Sequence, residues 1–217
     1  MVRRAHADED KTARRDGILA AALSLFLDDT RRLPAVAAIA VKAGLAKGTV
    51  YLYFETKEQI FAALLSREWD ALLADVEISF TGEGATRENT IRLFIGRFSD
   101  FLTSRAYFLR LDSLGYGLLE ANLPADEFWR FKDAFSLALG KAGTAVDRAL
   151  SLPDRRGLQL LIRSYALTKG LWQTLDLPDR VRGDQRFENH PLASVNFEVE
   201  LKAALTEYWH GAIAQQC

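Results

Sequence analysis

Between Lys47 and Lys57 the chain brings together two ammonium groups, the hydroxyl of Thr49 and the phenols of Tyr51 and Tyr53. None of them has beside it the base or second ligand that would make a nucleophile or a metal donor. Their chemistry is recognition. Lysine and tyrosine donate hydrogen bonds to phosphate oxygens. Threonine can meet a thymine methyl, and lysine the acceptor edge of a guanine. Such groups act together only if one element presents them, so the neighbouring residues decide the matter.

The stretch Gly44 to Glu58 reads GLAKGTVYLYFETKE. Gly44 follows the apolar-periodic Val36, Ile39, Ala40 and Ala43, where a helix needs a left-handed closing residue that glycine adopts cheaply. Ala46 to Leu52 then spans about two helical turns of roughly 3.6 residues each. With Val50 inward, Lys47, Gly48, Thr49, Tyr51 and Leu52 lie on the outer side. Glycine inside a helix costs about 1 kcal/mol relative to alanine, so Gly48 marks a place where something large approaches the backbone. Phe54 closes the unit, and Thr56 with Gln59 forms a capping box that starts the next helix. Two helices joined by a glycine turn, with a polar and aromatic face on the second, describe a helix-turn-helix.

Each residue of that face has a physical role. Lys47 and Thr49 are candidates for base edges, and Gly48 lets the backbone approach. Tyr51 and Tyr53 can reach phosphates while their rings lean on the domain; core packing is the other reading of both. Lys57 adds a charge at a helix N-terminus, where the helix dipole already favours phosphate. Leu52 reads either as an ordinary surface residue or as a contact to thymine methyls.

The same stretch closely resembles the N-terminal domain of the TetR family of bacterial transcriptional regulators, through Gly44, Gly48, Tyr51, Tyr53, Phe54, Lys57 and Glu58. The resemblance covers about residues 12 to 65. Beyond it the chain resembles the family in length and in its all-helical look. It departs where the family usually carries hydroxyls, at Pro34, Ala35 and Ala46, and at Ala38 in place of a common acidic residue. Thr49, Tyr51, Tyr53, Lys47 and Lys57 are left to do most of the contacting.

The totals narrow the class. The chain has 217 residues, 49% hydrophobic and 26% charged, which is ordinary for a globular protein long enough for a small domain and a larger one. Net charge is −1, so a nonspecific nucleic-acid coat is disfavoured. Residues 1–60 hold 10 Lys/Arg against 8 Asp/Glu, or +2; the remainder hold 18 against 21, or −3. The lone Cys217 allows no intrachain disulfide and suits a reducing cytoplasm. No apolar h-region opens the chain, and no apolar run approaches the roughly 20 residues of a membrane span. The expected location is cytoplasmic, without a membrane partner. His6, His190 and His210 are scattered, Glu188 with His190 is too sparse for a metal site, and no phosphate loop or nucleophile elbow occurs. We therefore expect no enzyme, metal or cofactor.

Periodicity predicts an all-α fold of about nine helices. Ile18, Ala22, Leu25 and Phe26 stripe the first, preceded by a tail over 1–11 that is either disordered or a basic arm for the minor groove. Pro34 suits the first turn of the second. A long helix runs from Lys57 to about Phe80, and five more cover about 86–104, 106–121, 124–150, 153–175 and 196–214. Residues 176–195 form a long polar loop. The expected organisation is an arm and helix-turn-helix head over 1–56 and a helical body over 57–217.

In the body, residues 94–135 are rich in aromatics, most of them ordinary core. The family resemblance implies a ligand cavity among these helices, with Phe98, Arg110, Tyr116, Phe128, Phe131 and Tyr165 as candidates and Asp112 and Lys169 nearby. It also implies that the last two helices pair with their symmetry mates. Leu158, Ile162, Tyr165 and Trp172 stripe one; Leu201, Leu205, Tyr208 and Ala212 stripe the other; and Gly170 and Gly211 would allow close approach. A two-fold dimer suits a head whose short helix covers only a half-site. The implied function is a ligand-responsive repressor that binds a palindromic operator in double-stranded DNA as a homodimer and is released by a small-molecule effector. The alternative is a DNA-bound interaction protein, such as a nucleoid or division factor, whose body binds a protein partner.

Overall fold

The computed structural model describes residues 2–30, 32–82 and 86–214, and the side chains at 2–9, 116, 118 and 120 lie outside that description. The candidate side chain of Tyr116 and the thiol of Cys217 therefore fall beyond what the structure describes. The elements are α1 (Val2–Asp28), α2 (Val36–Lys42), α3 (Lys47–Tyr51), α4 (Lys57–Ser79), α5 (Arg87–Ser104), α6 (Tyr107–Leu114), α7 (Glu120–Asn122), α8 (Ala125–Leu150), α9 (Arg156–Leu175), α10 (Asp179–Arg182) and α11 (Phe197–Ala214). No strand occurs among the described residues. The fold is all-α, as the periodicity predicts; α7 and α10 are single turns, and the other nine helices among the described residues match the expected number.

Local chemistry accounts for most boundaries. Thr86 caps α5, its hydroxyl accepting from the Asn89 N–H at 3.2 Å. Pro124 precedes α8, and the Phe128 N–H bonds its carbonyl at 2.9 Å. Two elements differ from expectation. α1 begins at Val2, well before Thr12, so residues 2–11 continue the helix rather than forming a tail. The helix expected over 106–121 is interrupted by a π-turn at Gly115–Leu119, where Gly115 and Gly117 lower helix propensity. A Cβ on Gly115 would also press Leu65 at 3.3 Å. The polar stretch 176–195 is ordered by α10 and by two 3₁₀ turns, Gln185–Phe187 and Pro191–Ser194. Arg186 hydrogen-bonds the Asp184 carboxylate from its side chain and its backbone N–H, which holds that carboxyl below its usual range.

Contacts divide the chain into two units: Met1–Trp69 with Tyr107–Phe135, and Asp70–Ala106 with Ser136–Cys217. In the first, Ile18, Ala22 and Phe26 of α1 are fully buried with Ile39, Val50, Ile60 and Phe61. Phe26 and Phe61 meet at 5.7 Å between ring centroids. An ion pair from Arg67 to Asp16 joins α4 to α1 at the surface.

The second unit is built around Trp209 of α11, whose ring lies 4.9 Å from Phe94 and 5.9 Å from Phe80. Its indole N–H, buried away from water, donates to the Ser164 hydroxyl at 2.9 Å. That hydroxyl in turn donates to the Leu160 carbonyl at 2.8 Å, so every polar atom of the pair is satisfied. Lys202 joins α11 to α5 through Asp100 at 3.2 Å and bonds Glu198 on its own helix at 2.8 Å.

The turn from α8 to α9 is closely packed. Ser151 and Arg155 both take left-handed backbone angles, with φ of 50° and 63°. Arg155 offers no side-chain cap to α9. Asp147 of α8 supplies it instead, accepting from the Gly157 N–H at 2.5 Å. A Cβ on Gly157 would sit 2.3 Å from the Gly143 carbonyl oxygen, and one on Gly143 would sit 2.8 Å from the Leu158 nitrogen. Here the helices touch backbone to backbone. Gly170 and Gly211 do not play this part within the chain, since a Cβ on either meets nothing within 4 Å.

Candidate nucleic-acid interface

The turn between α2 and α3 closes as the glycine requires. Gly44 has φ +67°. Its N–H bonds the Val41 carbonyl at 3.1 Å, and the Leu45 N–H reaches back to Ala40 at 2.9 Å. These are the two bonds of a Schellman closure, which end α2 and turn the chain into α3. Ala35 and Ala46, standing where the family usually has hydroxyls, make no side-chain cap bond.

Val50 anchors α3, fully buried against the head core, and this fixes which residues face outward. Lys47 and Gly48 are exposed and Thr49 is half-buried. Tyr51 is 43% exposed, which places its ring on the outer face and not in the core. The Lys47 ammonium lies 5.7 Å from the centroid of that ring. A Cβ on Gly48 would meet nothing within 4 Å, so the backbone there stands bare to whatever approaches. Leu52, at 79% exposed, extends the same surface.

The entry to α4 follows the expected capping box. The Gln59 N–H bonds the Thr56 hydroxyl at 3.2 Å, while the Gln59 side-chain oxygen accepts from Glu55 and Thr56. Lys57 is the first residue of α4, its ammonium only loosely held by Glu58 at 4.0 Å. Phe54 is buried, with the Arg15 guanidinium 5.0 Å over its ring. Tyr53 beside it is half-buried. The six candidates therefore lie along one short run: Lys47, Gly48, Thr49 and Tyr51 on α3, Tyr53 in the turn and Lys57 at the start of α4. Val41 on α2, 81% exposed next to Lys42, is absent from the sequence candidates. The signal that could have found it is its position out of phase with the buried Val36, Ile39 and Ala40.

The body candidates are divided between the units. Arg110, Phe128 and Phe131 belong to the first, and all three are half-buried. Phe128 and Phe131 share the ammonium of Lys132, at 5.5 and 5.8 Å from their centroids. Phe98 and Tyr165 belong to the second; Phe98 is packed 5.4 Å from Phe94 in the core and Tyr165 is half-buried. Within the first unit α4 and α6 are tied by two hydrogen bonds. The Trp69 indole donates to Asp112 at 3.2 Å, and the Tyr107 phenol to Glu68 at 2.8 Å.

Of the residues expected at a subunit contact, Ile162 is 50% exposed, and Leu158, Tyr165, Trp172 and Tyr208 are half-buried. Leu201 and Leu205 are fully buried and Ala212 is 8% exposed, so these three serve the core around Trp209. The α11 stripe is two faces wide, and counting apolar residues along it merges the inner face with its flank.

A helix-turn-helix presenting cations, a hydroxyl and phenols, on an all-helical chain, defines a class of DNA-recognising regulators. Residues 18–64 match the family model described as bacterial regulatory proteins, tetR family, and residues 66–216 match that of the tetracyclin repressor-like C-terminal domain. The chain belongs to the TetR family of bacterial transcriptional regulators. A comparison with curated proteins gives no match. Solved structures share the fold at low identity. PfmR, a TetR family transcriptional regulator from Thermus thermophilus, is 15% identical, with TM-score 0.59 over 89% of this chain and 97% of its own. The fatty acid degradation regulator FadR from Bacillus halodurans is 16% identical, with TM-score 0.58 over 90% and 94%. The transcriptional regulator FadR from Bacillus subtilis, solved in complex with stearoyl-CoA, is 19% identical, with TM-score 0.53 over 87% and 96%. No helix among the described residues is long and apolar enough to cross a membrane.

Proposed function

We propose that this TetR-family chain represses transcription by binding a palindromic operator as a homodimer, and that a small-molecule effector in the helical body releases it. The observation that carries the reading is the outer face of α3: bare backbone at Gly48 flanked by Lys47, Thr49 and Tyr51, presented by a glycine-closed turn. Tyr51, Tyr53 and Lys57 hold phosphates, whereas Lys47 and Thr49 meet base edges. Functionally the chain divides at about residue 56, into a head that reads DNA and a body that pairs and senses.

One short helix covers a half-site, so two heads must be held about 34–36 Å apart, one turn of DNA. The outward row on α9, with Ile162 at its centre and Tyr165 and Trp172 beyond, pairs with its copy and with the Tyr208 flank of α11. An apolar two-fold contact of this kind buries more than roughly 2,000 Å² in total. Because Lys57 sits at the start of α4, any swing of α4 displaces a phosphate contact. The bonds Trp69–Asp112 and Tyr107–Glu68 make α6 the lever on that helix. An effector shifts the equilibrium only by its differential affinity for the two head spacings, commonly about 1–3 kcal/mol, and operator must weaken effector binding by the same factor.

The contact assignment is tested by substitution on a selected operator. Lys57→Ala and Tyr51→Phe are expected to weaken binding across all sequences, and Lys57→Ala to reduce the salt slope by about one unit. Thr49→Ala is expected to change base preference at one position instead. Wild-type binding by all three, at several salt concentrations, would remove α3 and the start of α4 from the interface.

A further inference from the structure

A groove of about 410 Å³ opens in the first unit, on the side of the head that carries Tyr53. Its walls include Arg15 of α1, Tyr53 of the turn after α3, Ala62 of α4 and Glu127, Arg130 and Phe131 of α8. The size lies within the range of ordinary small-molecule sites, roughly 300–1,000 Å³. The wall chemistry is unequal: aromatic rings and alanine methyls on the body of the groove, and charge carried by two guanidiniums and one carboxylate.

Those charges stand without ionic partners among the described residues. Among the described residues neither Arg15 nor Arg130 has a carboxylate within ion-pair distance, and Glu127 has no cation there. The neighbouring pair is different: Arg67 of α4 is taken by Asp16, the residue next to Arg15. Arg15 instead lies over the ring of Phe54, with its fork of donors uncommitted to any acid. Two cations against one anion leave the groove with a single net positive charge. One carboxylate balances that, while a dianion meets Glu127 and a neutral molecule leaves the guanidiniums unanswered.

We propose that this groove binds a small organic monocarboxylate with an aromatic or apolar body. The carboxylate is held by Arg15 and Arg130, and the body lies against Phe131 and the alanine face of α4. Of the six residues expected at an effector cavity, this groove takes in Phe131 alone. It touches the head directly: Tyr53 is one of its walls, and Phe54, on which Arg15 rests, closes the unit that holds α3. An occupied groove therefore fixes the Arg15 and Tyr53 side chains beside the DNA-facing run.

The binding step needs no DNA, so its failure leaves the regulator reading untouched. The probe is 2-naphthoate, titrated calorimetrically into the full-length protein, with the neutral 2-naphthalenemethanol as control. Naphthoate is expected to bind saturably, one per chain, and at least about ten-fold more tightly than the alcohol, the usual scale of a charge-assisted hydrogen bond. Arg130→Met, an exposed change that leaves the melting temperature in place, is expected to lose about ten-fold for naphthoate and nothing for the alcohol. Glu127→Gln is expected to strengthen naphthoate a few-fold, which a merely structural arginine would not explain. Equal affinity for acid and alcohol, an unchanged naphthoate affinity in both Arg130→Met and Arg15→Met, or no saturable binding at millimolar probe would each overturn the proposal.

Discussion

Ile162→Glu is expected to yield folded monomers and to lower operator affinity by about 10²- to 10⁴-fold, the factor that linking two binding heads provides. In the single chain Ile162 is 50% exposed, while the inner face of α9 is made by Leu160, Leu161, Ser164 and Thr168. A glutamate at 162 therefore leaves the core untouched, and surface changes of this sort usually cost within about 0.5 kcal/mol. In the proposed dimer the same carboxylate is buried against its own copy without a partner, which costs several kcal/mol per ion. Sedimentation reads the assembly and an operator titration reads the affinity. A variant that remains dimeric would move the interface away from α9. Leu205→Glu is the wrong test, because Leu205 is fully buried beside Trp209 and its loss would unfold the chain.

Gly157→Ala is expected to destabilise the protein by about 1–3 kcal/mol or more, as overpacking does. The added methyl would fall 2.3 Å from the Gly143 carbonyl oxygen and 2.6 Å from the Val146 Cβ. Neither is the free end of a flexible side chain, so α8 and α9 must separate. Separation also stretches the bond from the Gly157 N–H to Asp147, the cap of α9. Gly170→Ala and Gly211→Ala provide the contrast: both have open space at Cβ and lie within helices, so each is expected to be neutral within the chain or stabilising by up to about 1 kcal/mol. Urea denaturation of the three variants checks the ranking. A Gly157→Ala protein as stable as the parent would mean that the α8–α9 crossing relaxes freely.

The contrast between these glycines shows where sequence reasoning reaches. Gly44, the Thr56–Gln59 box and the Thr86 cap depend on bonds between residues at most five apart, and local pattern is enough to place them. Val50 inward and Lys47, Gly48 and Tyr51 outward follow from helical phase alone. Gly143 and Gly157 meet across a turn, and nothing local distinguishes them from Gly170. The stripe on α11 is visible, but which flank turns into the core with Trp209 depends on α5 and α9, so local pattern does not separate Leu201, Leu205 and Ala212 from Tyr208. The close approach of Leu65 on α4 to Gly115, 3.3 Å from where a Cβ would stand, is likewise not revealed by sequence spacing. The groove at Arg15 escapes sequence reading for the same reason: its two guanidiniums come from α1 and α8.

In the proposed repressor, α3 of two paired chains reads an inverted repeat. Selection of bound duplexes from a random DNA pool with the full-length protein measures this most directly. The expected product is a palindrome whose half-site centres lie about one helical turn, or a multiple of it, apart. Reselection with Thr49→Ala should alter the bases read within each half-site and leave the spacing unchanged. A pool that emerges without any shared sequence, or with single unpaired half-sites, would contradict this reading.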